Sequence, residues 1–169
     1  MNPGMNPGTN PTPKDLALGT PSGFLAFGFG SGLSPIAPGT MGTLVAIPFA
    51  ILLRDLSAPI FWGLLFALFW LGVWICGRVS HKLGVHDHGG IVWDEFVGFW
   101  ITMIAVPATW QWILAGFVLF RLFDIVKPWP VKVADAKMKG GFGIMFDDVL
   151  AALYAVIILQ IALQWVDSV

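Results

Sequence analysis

The sequence predicts an all-α fold, a small polytopic helical membrane protein with about five membrane-associated helices. Of its 169 residues 57% are apolar and only 11% are charged. The mean hydropathy is +0.80, far from the composition of a soluble domain. The apolar residues fall in runs long enough to enter or cross a bilayer, and the charges collect at one end of those runs. The formal net charge of -1, with no basic arm interleaved with aromatics, excludes a nucleic-acid partner. The single cysteine, Cys76, excludes an intrachain disulfide and a cysteine-built zinc cage.

Residues 1–20 open with a tandem Met-Asn-Pro-Gly and offer little to bury, so they are expected to be a disordered N-terminal tail. The tail lacks the basic start and apolar core of a signal peptide, and the mature protein is expected to begin near Met1. Residues 21–169 are expected to form one helical membrane domain. Its apolar runs are Met41 to Leu53, Pro59 to Cys76, Ile91 to Val106, Thr109 to Phe120 (extendable to Val126) and Val149 to Val166. The second and fifth, of about 18 residues, would measure about 27 Å as helices, enough for a hydrocarbon core of about 30 Å. The first is short and contains Pro48, which leaves it open between a span and a re-entrant segment.

Topology favours five crossings. Lys14, Arg78, Lys82, Arg121, Lys127, Lys132, Lys137 and Lys139 then share one side, against Arg54 alone on the other. The positive-inside rule makes the rich side cytoplasmic. Segments 1–40, 77–90 and 121–148 meet there, together with the start of the third run.

Four constellations lie on that side. In Asp87-His88-Gly89-Gly90-Ile91-Val92-Trp93-Asp94-Glu95 two adjacent acids open an apolar helix. Capping and the helix dipole explain one acid better than two, and ionisable groups at membrane depth are costly enough to read as functional. In Phe120-Arg121-Leu122-Phe123-Asp124-Ile125-Val126-Lys127-Pro128-Trp129-Pro130 steps of three put Arg121, Asp124 and Lys127 on one face. A snorkelling anchor accounts for the two cations but not for Asp124; the prolines end the helix. In Gly140-Gly141-Phe142-Gly143-Ile144-Met145-Phe146-Asp147-Asp148 a glycine-rich approach leads to a second acid pair at an expected helix start, an arrangement that also serves as a simple cap.

Asp94, Glu95, Asp124, Asp147 and Asp148 are thereby brought within reach of one another. They cannot all stay ionised in a low-dielectric cleft without a counter-cation. An all-oxygen donor set suits Mg²⁺. His86 and His88 read as hydrogen-bonding or substrate-orienting groups rather than ligands, and no role is assigned to His81. The fourth constellation, Gly28 to Thr43, is rich in Gly, Ser, Pro and Thr. It is either a linker or a phosphate cradle formed with a helix N-terminus, with Gly39, Thr40 and Thr43 the candidate contacts. It lacks the Gly-Lys-Ser/Thr ending of a nucleotide-binding loop.

Together these parts fit phosphoryl chemistry on a membrane lipid. The cysteine-phosphatase loop, the Asp-x-Asp-x-Thr nucleophile and the CDP-alcohol transferase signature are all absent. The motifs Ala37-Pro38-Gly39-Thr40-x-Gly42, Ile91-Val92-x-Asp94-Glu95-x-Val97-Gly98, Phe120-Arg121-x-Phe123-Asp124-x-x-Lys127-Pro128-x-Pro130 and Gly143-Ile144-Met145-x-Asp147-Asp148-Val149-x-Ala151 resemble the signatures of the phosphatidylglycerophosphatase A family. The resemblance runs from about Gly28 to Tyr154. It implies Mg²⁺-dependent hydrolysis of phosphatidylglycerol phosphate in the bacterial inner membrane, with the active site at the cytoplasmic helix ends.

The residues themselves give the roles expected within that chemistry. Asp94, Glu95, Asp124, Asp147 and Asp148 would hold one or two Mg²⁺ and so activate a water. Asp94, Glu95, Asp124, Lys127 and Asp148 form the expected catalytic set, with Arg121, Lys127 and Lys132 neutralising the phosphate. Alternatives are a phosphatase for another lipid phosphate, such as phosphatidic acid, or a small ion or solute transporter. The one-sided charges argue against the transporter. Oligomeric state is not legible.

Overall fold

The computed structural model describes residues 11–168 apart from residues 105 and 108. Every secondary-structure element among the described residues is a helix, with no strand. Eight α-helices follow in order: α1 Pro13–Gly19, α2 Pro21–Ala26, α3 Pro38–Leu53, α4 Ala58–Leu83, α5 Trp93–Met103, α6 Trp110–Val126, α7 Val131–Lys137 and α8 Gly140–Asp167, with a 3₁₀ segment, Gly28–Leu33, before α3.

Of the expected tail, residues 1–10 lie outside the described residues, but Pro13–Gly19 is folded. Thr12 and Asp15 form a reciprocal capping box, in which Thr12 holds the Asp15 carboxyl below its ordinary pKa. Leu16 and Ala17 are buried in the main core. The expected tail is therefore helical over these residues, where a capped turn docks two consecutive apolar residues, Leu16 and Ala17, in the core.

Helices α4 and α8, of 26 and 28 residues, measure about 39 and 42 Å. Both are long and apolar enough to cross a membrane. Their most apolar stretches are only 28% and 22% buried, so Phe66, Trp70, Ile157 and Ile161 face outward. An apolar residue on an outward face is what a lipid solvent permits.

Helix α5 corrects the sequence reading. A helix over Ile91 to Val106 was expected; the observed one has 11 residues, all buried. At about 16 Å it is too short to span alone, and it runs through the middle of the bundle, packed on α8 and α3. Its indoles fix it there: Trp93 Nε1 donates to Leu68 O of α4 at 3.2 Å and Trp100 Nε1 to Ala46 O of α3 at 3.1 Å. A buried indole N–H needs such a partner.

Two boundaries also move. Helix α4 runs on to Leu83 rather than stopping at Cys76, so Arg78, His81 and Lys82 are helical. Helix α8 begins at Gly140, not Val149. The glycines that read as a loop are a helix crossing: a Cβ on Gly141 would strike Val73 O of α4, and one on Gly72 would strike Met145 and Trp93. Small residues let the two backbones approach closely.

Candidate active site

The site is assembled at one end of the bundle from the first turn of α5, the last turn of α6, the first turns of α3 and the second and third turns of α8. Asp94 and Glu95 follow the N-cap Val92, where the helix dipole favours negative charge. Val92 N donates to Ala26 O at 2.9 Å, tying this start to α2. Asp147 and Asp148 lie two turns inside α8 rather than at its start, because the Gly141 crossing lengthens that helix at its N-terminal end.

Asp94, Glu95 and Asp148 converge, each offering an oxygen within 4.8 Å of the others. They are 8%, 8% and 2% exposed. Asp94 Oδ1, Glu95 Oε2 and Asp148 Oδ2 have no hydrogen-bond partner. Buried acceptors are normally satisfied, and three buried carboxylates at this separation repel one another unless cations or protons intervene. The three oxygens without donors fit a divalent hard cation. Among the described residues this cation-capable group contains no histidine or cysteine.

Arg121 closes one side. Its Nη1 lies 2.6 Å from Asp124 Oδ2 and 3.4 Å from Glu95 Oε1, and its Nε is buried without a partner. Asp124 thus sits on Arg121, and it also lies against Asp148. Gly39 occupies the space beside this pair; a Cβ there would overlap Glu95 Oε1 and crowd both Arg121 Nη atoms. The residue before Pro38, Ala37, takes a left-handed conformation with φ 46°. That strained turn brings the α3 start against the acids.

Asp147 faces elsewhere. Its Oδ2 is 2.6 Å from Lys127 Nζ, which also lies 2.8 Å from Asp135 Oδ1 of α7. Lys127 is the left-handed C-cap of α6, φ 45°, with its N–H on Phe123 O. Burial would lower its pKa, but hydrogen bonds to Asp135 and Asp147 outweigh that and hold it above the ordinary lysine range.

The remaining candidates are dispersed. Thr43 is buried and donates to Gly39 O at 2.9 Å within its own helix, while Thr40 is half-buried. Lys132 is exposed on α7 and in no ion pair among the described residues. His86 Nε2 accepts from Gly140 N at 3.1 Å, His88 Nδ1 accepts from Gly90 N at 3.0 Å, and His81 is exposed. Asp135 escaped the sequence reading because a proline turn separates it from Lys127, and no helical or strand period couples the two. A cavity of about 260 Å³ at the far end of the bundle, beside Arg54, Phe61 and Trp100, contains no acid.

A family model described as Phosphatidylglycerophosphatase A matches residues 24–163. Phosphatidylglycerophosphatase A of Escherichia coli (strain K12) is 48% identical over 149 residues, covering 85% of this chain and 87% of the relative. The protein of the same name from Haemophilus influenzae (strain ATCC 51907 / DSM 11121 / KW20 / Rd) is 51% identical over 154 residues, 90% and 94% of the two chains. A protein named putative phosphatidylinositol-3-phosphatase from Bacteroides thetaiotaomicron is 42% identical over 152 residues, covering 82% and 91%. No solved structure matches. With four motifs in order, three of them converging on one buried carboxylate cluster, and a family match over most of its length, the chain belongs to the phosphatidylglycerophosphatase A family.

Proposed function

We propose that this protein is a Mg²⁺-dependent phosphatase that hydrolyses phosphatidylglycerol phosphate to phosphatidylglycerol and inorganic phosphate in phospholipid synthesis. The observation that carries the reading is the buried Asp94–Glu95–Asp148 group, in which each acid keeps an oxygen without a donor, beside the free Arg121 Nε, in a chain whose relatives carry that enzyme's name.

Asp94, Glu95 and Asp148 hold the ion in this reading. Asp124 and Asp147 support it from the flanks through Arg121 and Lys127. Mg²⁺ held by these three acids would supply Lewis-acid and water-activating chemistry. The chain's own part is to bind and orient. Arg121 Nε donates to a phosphate oxygen, Lys127 offers fixed positive charge, and Lys132 adds to the field from the surface. Gly39 lets the start of α3 approach Glu95 and Arg121 closely, so that its first turn, with Thr40, can face the phosphate; Thr43 holds that turn through Gly39 O. No covalent nucleophile is required, and transfer rests on positioning and charge.

The protein sits in the bacterial inner membrane as a multi-pass protein in this proposal. Helices α3, α4, α5, α6 and α8 are membrane-associated, and the carboxylate end faces the cytoplasm. The eight-to-one division of Lys and Arg supports that orientation.

The test is phosphate release by detergent-solubilised protein from phosphatidylglycerol phosphate, with and without Mg²⁺. Phosphatidic acid and phosphatidylinositol 3-phosphate serve as comparison substrates, the latter because of the third relative's name. Mg²⁺-dependent release preferring the glycerophosphate lipid is expected; preference for either comparison lipid moves the substrate, and release from none of them by folded protein refutes the phosphatase reading.

A further inference from the structure

A second lipid-facing feature lies away from the carboxylates. Helix α2 docks along the C-terminal half of α4, leaving a groove of about 380 Å³. Thr20, Ser22, Arg78 and Lys82 line its upper part, and Leu25 and Trp74 stand below them. It shares no lining residue with the carboxylate cluster.

Its two cations are unspent. Arg78 and Lys82 stand one turn apart on α4, and neither is in an ion pair among the described residues. Arg78 lies over the Trp74 ring, 5.7 Å from its centroid. Trp74 is 57% exposed, at the level where a long apolar helix becomes charged, which is where tryptophan borders a membrane interface.

We infer that this groove binds the headgroup and upper chains of one anionic phospholipid. Two cations with no acid in the lining select an anion, and basic pockets between helices at membrane ends hold anionic headgroups. Leu25, Trp74 and Ile75 supply an apolar lower half that a free phosphate would not need. A pair of snorkelling cations needs no wall, yet α2 supplies one.

The test places the protein in phosphatidylcholine nanodiscs containing phosphatidylserine, an anionic lipid without a terminal phosphate, and counts retained lipid by native mass spectrometry. One phosphatidylserine per protein is expected. Arg78→Ala with Lys82→Ala should cut its retention about tenfold or more. Leu25→Trp, which fills the apolar half, and Ser22→Glu, which adds an anion at the head without touching the core, should do the same. Asp148→Asn should leave retention unchanged. Phosphatidylserine held no better than phosphatidylcholine would overturn the inference. So would loss in the charge variant with full retention in both Leu25→Trp and Ser22→Glu, which would reduce the cations to general anchors. Displacement of the lipid by millimolar inorganic phosphate would reassign the site to a soluble anion.

Discussion

Asp147 and Asp148 are neighbours in the chain and belong to different clusters. Asp148 points inward to Asp94 and Glu95, where its Oδ2 has no donor. Asp147 is turned about 100° around the helix onto Lys127, which Asp135 holds from the other side. One cluster is three carboxylates with a single arginine at their edge and an oxygen without a donor on each, the other a closed ion pair with a second acid attached. A group that lacks partners can bind something; a group already paired can only position. Adjacent acids are therefore one motif in the sequence and two functions in the fold.

The largest effect expected from this contrast is at Asp148. Asp148→Asn, or Asp94→Asn, removes an ion-holding group, and a loss of several kcal/mol corresponds to about 10³-fold in turnover. Thermal melting sharpens it: in chelator the Asn variant should melt higher than wild type, because one buried repulsive charge is gone. Added Mg²⁺ should stabilise wild type but not the variant. If Mg²⁺ shifts both melting points equally, the ion is held elsewhere.

Next in size is Gly39→Ala. A Cβ there displaces Glu95 or Arg121, and misplacement by about 1 Å costs roughly 10²-fold in rate. Steady-state kinetics should show that loss with little change in membrane insertion.

Asp147→Asn attacks the comparison directly. It weakens a charge-assisted hydrogen bond worth about 1.5–3 kcal/mol, so a loss of about tenfold is expected while the Mg²⁺-dependent melting shift stays intact. An Asp147→Asn protein that lost that shift as Asp148→Asn does would merge the two clusters into one. Asp135→Asn should be milder, about two- to fivefold, because Lys127 keeps Asp147 and half-exposed pairs are worth about 0.2–1 kcal/mol. Lys132→Ala is the smallest, about twofold and abolished by salt, as screening of a surface charge requires.

Several elements were legible because local chemistry decides them. The extension of α6 to Val126 follows from an unbroken apolar face ended by Pro128 and Pro130. The acids opening α5 follow from their place after Gly89-Gly90. The start of α8 was not legible, since glycine signals both a turn and a close helix crossing, and only the opposing α4 backbone distinguishes them. The length of α5 was hidden for a related reason: an apolar run reads alike whether it faces lipid or eleven residues are enclosed by other helices.

The sequence by itself determined that this chain is helical, that its long helices are apolar enough to cross a membrane, that its charges gather at one end and that its motifs belong to one family. These follow from composition, period and residue identity. The tertiary structure alone decided which acids meet. It joined Asp94 and Glu95 to Asp148 across α5 and α8, set the Arg121–Asp124 pair of α6 against Glu95, and bound Asp147 and Asp135 to Lys127. The physical reason is directional: neighbours on a helix are set about 100° apart, so their partners depend on which elements pack against each face.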